Sequence, residues 1–263
     1  VIHNQGVPGG VHRPYCTVLT TSLKDGYLPT MGSVAWAAIA EEAAYGDNTP
    51  TVGQVSFNIR KAGGTTKVSS ELLEDSAINL PALLSQIFGE AQGRYEDTQL
   101  IGGDGTGEAE GIRTSATDGT VSASATAVAI ADFQTWYFNL PAQFRANAIV
   151  STTSSLMAQV AALDVTANKG SLTSAPATSL LGRTTALFDG TGWDDATAIS
   201  AGEEIGCIGD FSNYYLIDRI GMSMRRDDSI YVANDQVGFF ARSRYDGRLG
   251  LADAFRIFKI AAS

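Results

Sequence analysis

The side chains best suited to chemistry are few and scattered in this sequence. It contains two histidines, His3 and His12, and two cysteines, Cys16 and Cys207. A catalytic triad needs a histidine held between an acid and a nucleophile, and both histidines fall in a Gly- and Pro-containing stretch without hydrophobic periodicity. A Cys–His pair would have to combine Cys16 with His12 on that irregular segment. The sequence therefore predicts no nucleophilic catalytic site and no enzyme activity.

A glycine-rich segment, GGDGTGEAEG at residues 102–111, invites comparison with ligand-binding loops. It lacks the Lys-Ser/Thr end of a phosphate-binding loop, and it follows a helical pattern instead of opening one. Its alternating acidic residues lack the ligand spacing and closing Glu of a calcium loop. We therefore predict no cofactor or metal here, and a tight turn in which glycine accommodates positive φ. The expected turn residues are Gly102, Gly103, Asp104, Gly105 and Gly107.

The composition of the chain argues against several functional classes of protein. The 263 residues carry a net charge of −10, so the surface as a whole is unsuited to nucleic-acid binding by counterion release. Two cysteines far apart form neither a disulfide framework nor a zinc motif, and buried thiols in a reducing compartment are expected. No apolar run approaches the ~18 residues of a membrane span, and no secretory signal pattern is visible. Adjacent acidic residues diverge on a helix or strand, so the acidic pairs are interpreted as solvated loops: Glu41-Glu42, Asp194-Asp195, Glu203-Glu204 and Asp227-Asp228.

A long amphipathic helix, from about residue 80 to residue 101, is the strongest local prediction. Its apolar residues recur at helical spacing, which indicates one buried face that includes Phe88. Asn79 is the predicted N-cap, Pro81 suits the first turn, and Gly102 with Gly103 should end the helix. At 1.5 Å per residue it would be roughly 33 Å long.

A long hairpin is predicted just before this helix. Val55, Phe57 and Ile59 alternate with polar residues, as in a half-buried strand, and a weaker strand is predicted from Val34 to Ala40. The polar tip between them carries turn residues. Because a two-stranded ribbon is marginal alone in water, it must lie on its own body or on a neighbouring subunit.

The rest of the chain predicts segregated helices and strands. Helices should begin at Asp132 and Ser155, and a polar loop should cover residues 166–178. Strands are predicted near 148–150, 185–188, 204–208 and 214–224. Asp246-Gly247 predicts a hairpin between strands at 237–243 and 249–260. Together these elements indicate an α+β fold.

An ordered set of motifs resembles tailed-bacteriophage major capsid proteins of the Hong-Kong-97 type. The resemblance runs collinearly from about residue 33 to residue 259. No single motif is specific, but their order is. The matching residues are Glu71-Leu72-Leu73, Asp75-Ser76, Glu96-Asp97, Gly103 to Gly107, Gly111-Ile112, Leu181-Gly182, Ile208 to Phe211, Val237 to Gly247 and Ala254-Phe255.

This resemblance implies a capsid fold with an N-terminal arm, an extended hairpin loop, a peripheral domain with a long spine helix, and an axial domain. The corresponding ranges are 1–32 for the arm, 33–68 for the hairpin loop, 69–127 and 223–263 for the peripheral domain, and 128–222 for the axial domain. The hairpin tip would contact an adjacent subunit through Tyr45, Asp47, Asn48, Thr49, Pro50 and Val52.

The implied function is an icosahedral head shell that encloses double-stranded DNA without sequence-specific binding. The chain would assemble in the host cytoplasm into hexamers and pentamers and reside in the virion. Portal, scaffold, protease and decoration proteins are the implied further partners, with no membrane partner. A first residue Val1, rather than Met, agrees with proteolytic removal of an N-terminal segment, as in many members of the family, although trimming would look the same.

One feature of the family is not carried over to this chain, and two alternative functions remain. Some relatives cross-link a hairpin lysine to a neighbour, but none of Lys24, Lys61, Lys67, Lys169 and Lys259 lies in the tip at 41–53, so we predict no cross-link. An encapsulin-like shell with protein cargo is the first alternative, and a monomeric hydrolase or lectin-like module is the second.

Overall fold

The computed structural model describes residues 10–32, 34, 36, 38–39, 41–42, 46, 49–76, 79–167, 179–197 and 199–262. The helices, in chain order, are α1 Ser70–Asp75, α2 Leu80–Gly102, α3 Ile112–Ser115, α4 Ile130–Asn139, α5 Ala142–Arg145 and α6 Ser154–Ala167. The strands are β1 Thr17–Thr20, β2 Asp25–Met31, β3 Val52–Asn58, β4 Arg60–Ser69, β5 Thr117–Val121, β6 Ile149–Thr152, β7 Ser179–Leu180, β8 Arg183–Leu187, β9 Glu204–Gly209, β10 Tyr214–Asp227, β11 Gln236–Leu249 and β12 Phe255–Lys259.

Helix α2 is the predicted long helix, with the predicted ends. Asn79 caps it by accepting a hydrogen bond from the Ala82 N–H at 3.2 Å, and Pro81 lies in the first turn. Its buried face, however, is confined to the C-terminal end: Glu96, Asp97, Gln99, Leu100 and Ile101. The prediction that Phe88 is buried is wrong, since Phe88 is half-buried and lines an open groove.

A four-stranded sheet, in the order β1-β10-β11-β4, supports this helix. Here the Asp246-Gly247 hairpin prediction is wrong, because β11 runs straight through both residues and pairs with β10 and β4. Asp246 is buried, and its carboxylate accepts from the Asn58 N–H at 2.8 Å. A Cβ at Gly247 would overlap the Tyr214 hydroxyl. The dipeptide therefore serves close packing in a strand instead of a turn.

Strands β2 and β3 form a separate antiparallel ribbon. The predicted alternating strand is β3, continued by Ile59, but its partner is Asp25–Met31. The partner predicted at Val34 to Ala40 is therefore wrong. The described residues of that stretch are outside any strand, and Ala40 lies outside the described residues. At the root of the ribbon the Ile59 N–H donates to the Lys24 carbonyl at 2.8 Å. Phe57 and Ile59 pack there against Ile217 of β10.

The second large sheet has six strands in the order β5-β12-β9-β6-β8-β7. Helix α4 packs on it through Phe133 and Trp136, which share a core with Val150, Phe258 and Leu140, the residue after the helix. The strands predicted near 148–150, 185–188 and 204–208 are observed as β6, β8 and β9.

Two helix predictions in this half need adjustment. Helix α4 begins two residues before Asp132, whose carboxylate reaches back to the Ala129 N–H at 2.9 Å, so this residue caps from inside the first turn. Helix α6 begins at Ser154 and extends to Ala167, into the predicted loop; residues 168–178 lie outside the described part. No described helix combines the length and apolarity that a membrane span requires.

Candidate functional site

A buried histidine network joins the N-terminal segment to the two halves of the fold. His12 has no exposed surface. Its Nδ1 lies 3.0 Å from Asp97 Oδ1 of α2, and its Nε2 lies 2.7 Å from Ser151 Oγ of β6. Because a carboxylate only accepts hydrogen bonds, Nδ1 donates to Asp97, and Nε2 forms the second hydrogen bond with the Ser151 hydroxyl. We call His12, Asp97, Ser151 and Trp193 the His12 network.

The order acid–histidine–serine is that of a catalytic triad, which sequence reasoning did not find. Its surroundings oppose catalysis. Ser151 is fully buried, and Trp193 Nε1 donates to its Oγ at 2.9 Å, so the hydroxyl oxygen already has a partner. The His12 ring is packed between Phe211, stacked at 5.6 Å between ring centroids, and Phe188, edge-on at 6.0 Å. The arrangement therefore leaves no room for a substrate and acts as an anchor.

The same helix turn holds the neighbouring residues of the N-terminal segment. The backbone N–H groups of Val11 and His12 donate to the Asp97 carboxylate at 2.9 and 3.1 Å. Arg13 pairs with Glu96 at 2.8 Å and also with Asp218 of β10. Burial, together with the nearby Asp97 charge, raises the pKa of the Cys16 thiol to about 12. Residues 11–16 are thereby fixed to the body, and Cys16 is kept as a thiol.

The segment that leaves α2 forms a compact turn. Gly102 ends the helix, Gly103 caps it, and the N–H of Gly103 donates to the Gln99 carbonyl at 2.8 Å. The Asp104 carboxylate accepts from the N–H groups of Thr106 and Gly107, which lowers its pKa. Gly105 has a φ of +72°, a conformation that favours glycine. Among the described residues no group of three or more His, Cys, Asp or Glu side chains that could hold a metal ion is found.

The β2–β3 ribbon presents an exposed face with four apolar side chains, which no other described residues cover. Opposite residues of an antiparallel pair share a face, so the apolar Tyr27, Pro29, Met31 and Val52 lie on one side together with the polar Gln54 and Ser56. Tyr27, Met31 and Val52 are 67%, 73% and 67% exposed, and Trp36, beyond the end of β2, is 97% exposed. A face of this kind is typical of an interaction site.

A groove of about 440 Å³ lies between α2 and the sheet strands β4 and β11. Gly63 and Gly64 of β4 form one wall, and Phe88 and Ala91 of α2 form the other. The groove and the exposed face of the ribbon are both apolar features of the surface. Neither feature contains a nucleophile with a base beside it.

Comparison with known proteins decides which class this architecture represents. Residues 10–260 match the model of the phage capsid family. The chain belongs to the phage capsid family. It is therefore a structural capsid protein of the virion and no enzyme, as the resemblance implied. A search of curated proteins finds no match.

Solved structures share the fold of this capsid protein over nearly its whole length. The capsid of an empty GTA particle, computed with C5 symmetry, is 23% identical with a TM-score of 0.81, and the alignment covers 99% of this chain and 93% of that one. Gordonia phage Cozz gives 17% identity, a TM-score of 0.75, and coverage of 100% and 90%. The capsid of cyanophage P-SCSP1u gives 12% identity, a TM-score of 0.69, and coverage of 100% and 91%. The predicted α+β capsid fold is confirmed.

Three of the six predicted tip residues lie in the described part of the chain. Thr49, Pro50 and Val52 are described, and all three are surface residues close to the start of β3. Tyr45, Asp47 and Asn48 lie outside the described residues. The His12 network was missed because its members are far apart in sequence. The signal that could have indicated it is the Glu96-Asp97 pair close to the apolar Leu100-Ile101 at the end of the helix.

Proposed function

We propose that this capsid protein acts by self-association, as pentamers and hexamers of a closed icosahedral shell that encloses double-stranded DNA. The observation that carries the proposal is the uncovered face of the β2–β3 ribbon. Burying apolar surface stabilises by about 25 cal/mol per Å², and a ribbon of two strands has no core of its own. A second copy of the chain supplies the missing cover, since a homo-oligomer uses its own surfaces as partners.

The tip of the ribbon is the proposed intersubunit contact. It comprises Tyr45, Asp47, Asn48, Thr49, Pro50 and Val52, to which the structure adds the exposed side chains of Tyr27, Met31 and Trp36. Since no lysine occupies positions 41–53, the contact is non-covalent. A decoration protein is a further partner that would strengthen such a contact.

The proposed domains have the boundaries that the resemblance implies. We propose 1–32 as the arm, 33–68 as the extended loop, 69–127 with 223–263 as the peripheral domain, and 128–222 as the axial domain. The observed pairing refines this picture, because β5 and β12 join the strands of the axial segment and β2 belongs to the ribbon. The proposed peripheral and axial parts thus contribute strands to the same sheet.

The relation to DNA follows from charge. With 28 acidic and 18 basic side chains, the chain has no excess of cations for tight phosphate binding. The shell therefore confines the genome without sequence-specific contacts. Portal, scaffold and protease proteins are the proposed partners of assembly, which takes place in the host cytoplasm.

The test compares assembly of two variants with that of the wild type. Met31→Ser combined with Val52→Ser removes an opposed apolar pair from the exposed face. Leu251→Ser, at a residue 42% exposed outside the ribbon, is the matched control. We expect the ribbon variant to remain folded and to give few particles by sedimentation, while the control assembles as the wild type does.

Each possible outcome of the assembly experiment tests one part of the proposal. A wild-type chain that stays a 27.6 kDa monomer in every condition would sink the shell proposal. Wild-type particles that carry protein cargo and no nucleic acid would favour an encapsulin-like shell. Unchanged assembly of the ribbon variant would show that the ribbon is not the principal contact.

A further inference from the structure

Two arginines lie at one end of the six-stranded sheet without an acidic partner. Arg183 is the first residue of β8, and Arg145 ends α5, four residues before β6. Arg145 donates to the carbonyls of Leu140 and Phe138, both at 2.7 Å, and Arg183 donates to the Ala146 carbonyl at 2.9 Å. None of the ion pairs among the described residues includes either arginine. Their positive charges are therefore held in place and left uncompensated.

Aromatic rings complete this surface. The guanidinium carbon of Arg145 lies 5.3 Å from the centre of the Phe138 ring, and that of Arg183 lies 5.8 Å from the Tyr137 ring. Arg183 also donates to the Tyr137 hydroxyl at 3.0 Å. Phe138 is nevertheless 65% exposed. Arginine and aromatic side chains are the residues enriched in protein interfaces, and here they are already ordered, so binding costs little side-chain entropy. We call Tyr137, Phe138, Arg145 and Arg183 the basic end.

Exposed carboxylates occupy the opposite end of the same sheet. Asp189 follows β8, and six residues of extended chain separate it from Arg183, roughly 20 Å. Its carboxylate accepts from the N–H and the hydroxyl of Ser154, both at 2.6 Å. Asp195 accepts from Thr197, and hydrogen bonds from Ser155 and Thr197 lower its pKa. Neither carboxylate belongs to an ion pair among the described residues. We call Asp189 and Asp195 the acidic end.

We propose that the basic end of one subunit binds the acidic end of the next copy of the chain, head to tail around a rotation axis. This inference rests on the proposed self-association. A heterologous contact joins two different patches of the same chain, and rotation closes it into a ring. Complementary charges at opposite ends of one sheet satisfy that requirement. A second copy fits better than DNA, because the two rings lie beside guanidinium groups that are already bound to carbonyls, and the acidic end supplies the missing anions.

A charge exchange tests the contact. Arg183→Asp and Asp195→Arg each place like charges across the proposed interface, and the double variant restores opposite charges. We expect each single variant to reduce the yield of particles by about tenfold or more, and the double variant to recover most of the wild-type yield. Phe138→Asp, at an exposed ring, should reduce the yield similarly. Glu74→Arg, which changes the charge of an exposed residue on α1 by the same amount, is the control and should assemble normally.

The outcomes separate this contact from the underlying function. If the wild type never assembles, the proposed function fails. If the wild type assembles and all three single variants assemble equally well, or if the double variant yields no more than the single ones, the contact is overturned. Should Arg183→Asp fail to fold, Phe138→Asp and Asp195→Arg decide. Reduced binding of Phe138→Asp to a DNA duplex, with assembly unchanged, would assign the basic end to the genome and overturn the inference.

Discussion

The Asp97 carboxylate holds the residue His12 at two points, through the backbone N–H at 3.1 Å and the ring Nδ1 at 3.0 Å. The Val11 N–H adds a third hydrogen bond at 2.9 Å. One acidic side chain near the end of the long helix thus determines both where the N-terminal segment runs and how the imidazole is oriented. The Ser151 hydroxyl, on the central strand β6, forms a hydrogen bond with the other ring nitrogen, Nε2.

Replacing Asp97 should lower the free energy of unfolding more than replacing an exposed charged residue. Asp97→Ala leaves the two backbone N–H groups and Nδ1 without an acceptor in a buried site, so we expect unfolding free energy to fall by about 3 kcal/mol. Urea unfolding of the unassembled subunit measures this. Asp25→Ala, which removes an exposed pair with Lys24 at 4.0 Å, is the control and should cost less than about 0.5 kcal/mol. Equal losses in the two variants would show that the N-terminal segment is not anchored here.

Removing the serine should affect stability and leave chemistry unchanged. Ser151→Ala deprives His12 Nε2 and Trp193 Nε1 of their partner, and we expect a loss of about 2 kcal/mol. Any residual hydrolysis of an activated ester should be equal in the wild type and in the variant. A serine-directed phosphonate probe should not label the native protein. Labelling that disappears in Ser151→Ala would contradict the structural role.

Two glycines should respond in opposite ways to alanine. Gly247→Ala forces a methyl group onto the Tyr214 hydroxyl and should destabilise by about 2 kcal/mol. Gly89 lies inside α2 with open space around the added methyl, so Gly89→Ala should stabilise by about 0.5–1 kcal/mol. Thermal unfolding of unassembled subunits gives the signs. A stabilised Gly247→Ala variant would contradict the packing described for β11.

Neither thiol should react readily in the native subunit. A pKa of about 12 means that almost all Cys16 is protonated at pH 8, and burial also raises the pKa of Cys207. The reaction of Cys16 with a maleimide should therefore stay slow and rise about tenfold per pH unit well above pH 9, where a free thiol would level off. Urea-unfolded protein, in which both thiols react fast, is the control. One fast thiol in native Cys207→Ser would show that the environment of Cys16 is wrong.

Assembled particles should dissociate completely in denaturant. Since no lysine lies at positions 41–53, subunits cannot be joined through the tip, and a denaturing gel should show one band near 27.6 kDa. Particles aged after assembly provide the control for slow chemistry. A ladder at multiples of this mass would require a cross-link elsewhere.

Local sequence patterns predicted the structural features that depend on residues close together in the sequence. The ends of α2 were predictable because Asn79, Pro81 and Gly102 act on the adjacent backbone. The burial of Phe88 was not, because an amphipathic pattern does not reveal which turns meet the sheet. The His12 network was invisible for the same reason, since His12 is separated from Asp97 by 85 residues and from Ser151 by 139.

Asp246-Gly247 shows a different limit of sequence reasoning. This dipeptide favours a two-residue turn when only its own backbone is considered. Here tertiary partners decide: Asn58 and Arg248 donate to the Asp246 carboxylate, and Tyr214 needs the space over Gly247. The turn between β10 and β11 instead passes through Asp235, a non-glycine residue with a φ of +48°.

Among the described residues, the ribbon is attached to the body at its root, where the Asn58 N–H donates to the Asp246 carboxylate and Phe57 packs against Ile217. The ribbon can therefore rotate about its root as one unit. Seven residues of strand extend roughly 23 Å, so a rotation of about 10° at the root shifts the far end of the ribbon by roughly 4 Å. In the proposed shell, such a rotation at the root would bring the tip to neighbouring subunits at different angles.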